Sequence, residues 1–338
     1  MTAALAVIAL VLGIAVVLTR EPASPPPPAA VRLPGQVFAP SSFWYQELPA
    51  SAPLHANSAG IVSNAVAQMK RYYGSSSRAN VAVNTTSYAA PVYIAGPNDP
   101  KVDVGFNDCQ GKGYFDAGLR EQFTGVPIPT WAQPADGTDA EMVVYSPTEN
   151  RIWEFWVSKK TNGTWSACWG GRIDNASANP GIFPSYYGTT ATGLPFMGGQ
   201  ITADELRTGQ INHAIGISFV EVRAGMQSWP AQRNDGWVND PNAPVEGQRF
   251  RLDPPLNIDA LNLPPAARAI AKAGQTYGFV VWDKAGAVTL RAENPKPLQL
   301  QGKPNPYPEL LAPAADASAL HQIPWNRLQA LPYDYGKS

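Results

Sequence analysis

Between residues 56 and 73 the apolar positions Ile61, Val62, Ala65, Val66 and Met69 recur every three or four residues, which sets them on one face of a helix. Asn57 or Ser58 can cap its start and Gly74 can end it. Downstream the period changes to two. Short runs at 81–83, 92–94 and 102–106 and longer ones at 141–146, 151–158, 164–172, 211–222, 247–252, 278–283 and 287–292 alternate or are wholly apolar. Gly, Pro and Asn clusters separate them, so strands joined by turns are expected. Three short helices interrupt the series, at 115–123, at 203–207 and at 265–275. The second follows a Thr202/Glu205 capping-box pattern and the third opens on Pro265, and all three are expected to ride on loops of a β body.

Nine or more strands without strand-helix alternation predict a mainly β fold, an antiparallel β-sandwich or jelly roll with a few short loop helices, preceded by an N-terminal apolar helix. That apolar run covers residues 3–18 without a charge and ends at Thr19, Arg20 and Glu21. Residues 1–22 therefore read as a signal anchor, or as a signal peptide if cleaved. The prolines at 25–28 make 23–36 a stiff tether, and no break in composition divides residues 37–338, so one domain is expected there. The chain is placed outside a membrane, anchored by its leader or secreted.

Composition narrows the chemistry. Charged residues make up only 15% of the chain while Gly 29 and Pro 34 are numerous, which suits short strands and many turns. A net charge of -1 leaves no basic stripe for nucleic acid. An exported chain with two cysteines favours a disulfide between Cys109 and Cys168 over two buried thiols. No HExxH, Cys-rich cluster, G-x-S-x-G elbow or phosphate loop is present, and 188–193 runs into Leu194 and Pro195 as a tight connection, so no cofactor or metal is expected.

The segment 141–156 reads as a β-hairpin turning at 147–150. Either of two loop lengths sets Val143 opposite Glu154 and Glu141 opposite Trp156. One face then carries Glu141, Tyr145, Glu154 and Trp156, and the other carries Met142, Val144, Trp153, Phe155 and Val157 as core. Diagonal carboxylates on a polar-aromatic surface lie about 7 Å apart, the separation glycoside cleavage uses, with rings to stack on sugars. Glu141 and Glu154 are thus the candidate catalytic pair, and Tyr145, Trp156, His213 and Arg172 the candidate substrate contacts. His213 shares a face with Ile211, Ile215 and Ile217, where a satisfied core histidine competes with a role at the strand end. Arg172, Asp174, Asp235 and Arg249 sit beside strands or in loops and could line a cleft.

The strings Gly188-Thr-Thr-Ala-Thr-Gly-Leu-Pro-Phe-Met-Gly-Gly-Gln-Ile201, Ile211-Asn-His-Ala-Ile-Gly216 and Arg249-Phe-Arg-Leu-Asp-Pro254 resemble a family of exported, uncharacterised bacterial proteins. The resemblance implies export and a single domain and brings no activity. A looser resemblance is to concanavalin-like jelly rolls of glycosidases and polysaccharide lyases, although their carboxylate-x-carboxylate and Gln-x-His strands are missing. Three functions are compatible with these features: a glycoside hydrolase acting on a polysaccharide or cell-envelope glycan, a non-catalytic cell-surface glycan-binding or structural module, and a polysaccharide lyase using His213, Tyr145 and Arg172.

Overall fold

The computed structural model describes residues 36–312, 318 and 320–337. The predicted leader and all but the last residue of the tether lie outside the described residues. Among them are fifteen strands in four sheets and seven α-helices, a sheet-rich fold as expected.

Ten strands build the two main sheets. They are β1 (Ala82–Asn84), β2 (Val92–Ile94), β3 (Met142–Ser146), β4 (Arg151–Trp156), β5 (Trp169–Ile173), β6 (Ile215–Phe219), β7 (Arg249–Leu252), β8 (Phe279–Lys284), β9 (Thr289–Arg291) and β10 (Leu328–Ala330). One sheet has the order β1-β9-β6-β8-β7-β10 and the other β5-β4-β3-β2. Both are mixed: β1 pairs with β9, β6 with β8 and β2 with β3 in parallel, and the other neighbours are antiparallel.

Period-2 alternation assigns the faces of the six-stranded sheet. Ile215, Ile217, Phe250, Leu252, Phe279, Val281 and Leu290 pack beneath α1 (Ser58–Arg71) and α3 (Pro265–Thr276) in one core. Val280 and Trp282 face the other way, into a second core shared with the four-stranded sheet. The helix at Pro265–Thr276 is therefore no loop ornament, since seven of its residues are buried. Its start on proline and the capping box of α2 (Ala203–Thr208) are as the sequence indicates.

The predicted strand at 164–172 is two. Thr164–Ala167 pairs with Lys159–Thr161 in a small sheet, whereas Trp169–Ile173 pairs with β4, so the chain changes sheets at Cys168. Cys168 is bonded to Cys109, with Cα atoms 5.6 Å apart. The predicted strand 211–222 shrinks to β6, which leaves His213 just before it.

Candidate functional site

The hairpin has the expected register: Val143 faces Glu154, and a four-residue loop joins Ser146 to Arg151. The expected solvent face does not exist. Every residue of β3 is buried, and Glu141 and Glu154 are 1% and 0% exposed. Met142, Val144, Trp153 and Phe155 lie on the side of Phe123, whose ring is 5.0 Å from Phe155, and the Trp153 indole donates to the Gln122 carbonyl. The face holding the carboxyls is covered by Phe196, Thr189 and the inner face of the six-stranded sheet.

The two glutamates differ in circumstance. Glu154 is sealed: Oε2 accepts from Thr189 Oγ1 at 2.7 Å and Oε1 from the Phe196 amide at 2.6 Å. Burial pushes its carboxyl up to about 8, against those hydrogen bonds. Thr189 reaches it because Gly171 lets the 188–193 loop lie on the sheet, where Gly188 donates to the Gly170 carbonyl at 2.9 Å. A Cβ at Gly171 would stand 2.8 Å from the Gly188 nitrogen.

Glu141, though 1% exposed, belongs to the lining of a cleft of about 630 Å³ formed where strands of both sheets end. Its Oε1 lies 3.7 Å from Arg291 Nη1, and Oε2 has no hydrogen-bond partner among the described residues. Burial raises its carboxyl to about 7, with Arg291 pulling it down and Asp139 and Asp283 pushing it further up. Ala140 and Val157 flank it with φ of 37° and 49°, a left-handed conformation costly for a β-branched residue. Asp139, Glu141 and Trp156, beside these kinks, all line the same cleft.

Arg291 alternates with Leu290 and so lies on the inner face, where its Nη2 meets Asp283 Oδ2 at 2.6 Å. Asp283 would point with Phe279 and Val281 into the helix-side core were β8 regular. Pairing with β6 shifts from Ile217–Val281 to Ser218–Asp283, so Trp282 is an extra, bulged residue and Asp283 is turned inward. The Trp282 indole lies on Gly216, where any Cβ would come within 2.2 Å of the ring. Asp283 is hydrogen-bonded by the Ala191 and Lys284 amides, and burial raises its pKa although Arg291 opposes.

Trp156, Trp169 and Tyr186 supply the aromatic wall, with Trp169 stacked on Tyr187 at 5.8 Å and Lys112 Nζ 4.4 Å from its ring. Opposite, Arg233 donates to the Gly188 and Thr190 carbonyls at 2.8 and 2.7 Å, and Lys284 pairs with Asp235 at 3.0 Å. The cleft thus brings Glu141 and Trp156 together and leaves out Glu154, Tyr145, His213 and Arg172. Tyr145 is buried in the shared core. Arg172 pairs with Asp174 at 3.0 Å. His213 lies in a different cleft beside Glu205. Arg249 is buried, donating to the Tyr277 and Phe43 carbonyls.

Searches against family models, curated proteins and solved structures find no match. Sequence reasoning places Asp235 beside a cleft; it misses Asp139, Lys112, Arg233, Asp283 and Arg291. The Thr-Leu-Arg alternation of β9 could have signalled Arg291, but the bulge at Trp282 leaves no mark in the pattern.

Proposed function

We propose that this protein is an extracytoplasmic, carbohydrate-active β-sandwich whose cleft takes a polysaccharide segment, with Glu141 as the acid that protonates a glycosidic oxygen. The observation that carries the reading is the Glu141 carboxyl: buried, at about 7, in the lining of the cleft, with an Oε2 that has no hydrogen-bond partner among the described residues. An acid that keeps its proton near neutrality is what the leaving oxygen requires. Trp156 and Tyr186 offer rings to a sugar face, as in glycan clefts. The second carboxylate is best sought in Asp139, which shares the wall and has no ion-pair partner among the described residues, in place of Glu154, which is sealed behind Thr189. The apolar leader would deliver the chain across a membrane and its tether would hold the cleft away from that surface.

The test incubates the full-length protein with a panel of bacterial and plant polysaccharides, following reducing ends and the absorbance of unsaturated uronates. New reducing ends that vanish in Glu141→Gln and Asp139→Asn and persist in Glu154→Gln support the reading. Wild-type cleavage by Glu141→Gln sinks it. A rise in absorbance transfers the reading to elimination, with Arg291 and Lys112 meeting the uronate. Retention on one immobilised glycan without products makes the cleft a binding module.

A further inference from the structure

A second cleft, of about 1100 Å³, lies on another part of the surface and shares no lining residue with the first. One wall is apolar and aromatic, made by Val92, Ile94, Trp131, Met197 and Leu298. Other lining residues are ionisable, and they sort into partnered and unpartnered ones. Glu205 of α2 meets His213 Nε2 at 3.1 Å and accepts from the Thr202 amide and hydroxyl at 2.8 and 2.9 Å. His213 turns its other nitrogen to the Ala214 carbonyl at 2.8 Å, so both its nitrogens face acceptors. Burial works against the imidazolium, yet Glu205 outweighs it and holds the pKa above the ordinary value. This buried His–Glu pair is satisfied within the protein and offers a ligand little. Asp204 is paired with Arg207 on the same helix.

Glu293 differs. It lies two residues past the end of β9, its backbone is fixed by Ile201 and by the Tyr307 hydroxyl, and its half-buried carboxyl has no hydrogen-bond or ion-pair partner among the described residues. The other charges on the cleft are Glu309 and Lys303, one of each sign. With the Asp204–Arg207 and Glu205–His213 pairs cancelled, an ionised Glu293 leaves the cleft one negative charge in excess.

We propose that this second cleft binds a small amphipathic monocation, an organic amine whose apolar body lies on Trp131, Val92, Ile94 and Met197 and whose ammonium pairs with Glu293. A charge-assisted hydrogen bond in a cleft with an apolar wall is strong, and the amine restores neutrality where no described residue pairs a cation with Glu293. Empty, the site leaves Glu293 raised to about 8, chiefly by burial. Binding the amine therefore expels a proton below that pH, and affinity climbs as Glu293 ionises.

The probe is hexylamine, titrated into the full-length protein by calorimetry, with hexanol and hexanoate as the neutral and anionic analogues. Hexylamine is expected to bind more tightly than either, and its affinity should rise on the order of twentyfold between pH 6.5 and 8.5, where the amine itself stays protonated. Glu293→Gln should weaken it at least about tenfold and abolish that pH dependence, while Glu293→Asp keeps part of both. Glu293→Gln removes a half-buried ionisable group that has no partner among the described residues, so its melting temperature should not fall, and that melt confirms folding. Met197→Trp, which fills the cleft, should block hexanol and hexylamine alike. Absence of hexylamine binding, equal binding of hexanol, or unchanged binding by folded Glu293→Gln overturns the proposal. None of these measurements touches Glu141, so failure here leaves the glycan reading standing and the reverse also holds.

Discussion

Replacing Glu154 by Gln should change how stability depends on pH. In the folded chain its carboxyl is raised from 4.5 to about 8 by complete burial, whereas in the unfolded chain it titrates near the ordinary value. Between those values the folded state holds a proton that the unfolded state has lost, so stability falls as pH rises through this window and levels off above it. One such proton corresponds to about 1.4 kcal/mol per pH unit, which makes Glu154 responsible for about 2–3 kcal/mol of loss between pH 5.5 and 7.5. A glutamine has the shape of the protonated acid. Its oxygen can accept from the Phe196 amide and its amide group can donate to the Thr189 hydroxyl, so folding at pH 5.5 should be little affected. Urea unfolding midpoints measured from pH 5.5 to 7.5 should thus fall less steeply for Glu154→Gln, and the variant should become the more stable protein at the upper end. Glu141, Glu246 and Glu293, raised by burial to about 7, 9 and 8, keep a residual slope in both. Parallel curves for the two proteins would refute the burial of an acid form at this position.

Other consequences can be measured alongside. Cys109 and Cys168 close a loop of sequence separation 59, so Cys109→Ala/Cys168→Ala should cost about 4 kcal/mol, read as a lower unfolding midpoint in the same denaturant. Gly171→Ala sets a methyl 2.8 Å from the Gly188 nitrogen and should lift the loop carrying Thr189, destabilising by about 1–3 kcal/mol. Leucine in its place would only sharpen the effect. Arg249→Met removes the donors to the half-buried Tyr277 and the buried Phe43 carbonyls, at about 1–3 kcal/mol for a stranded buried acceptor, and should expose residues 43–52 to limited proteolysis before the rest of the chain.

The features legible in the sequence are those that depend on neighbours along the chain. The capping box at Thr202 and Glu205, the register of the 141–156 hairpin and the pairing of the only two cysteines each rest on spacing, turn chemistry or elimination. What escaped depends on distant partners. Glu154 reads as a solvent-facing strand residue until Thr189 and Phe196, 35 and 42 positions away, close over it. The run 164–172 is uniformly strand-like, and only its separate partners Lys159–Thr161 and β4 split it at Cys168. The pattern of β8 continues through Trp282 without a break, so the bulge that redirects Asp283, and with it the polar floor of the cleft, exists only in the pairing with β6.

The bond at Cys168 has a meaning beyond loop closure. Trp169, the next residue, stands on one lip of the first cleft, while Gln110 and Lys112, just past Cys109, stand with it across the covalent link. Oxidation therefore sets the spacing of that lip before any ligand arrives, and a reduced chain would have to order the 108–114 loop at the moment of binding, at an entropic cost charged against affinity. The cleft is in this sense finished by the oxidation of the chain.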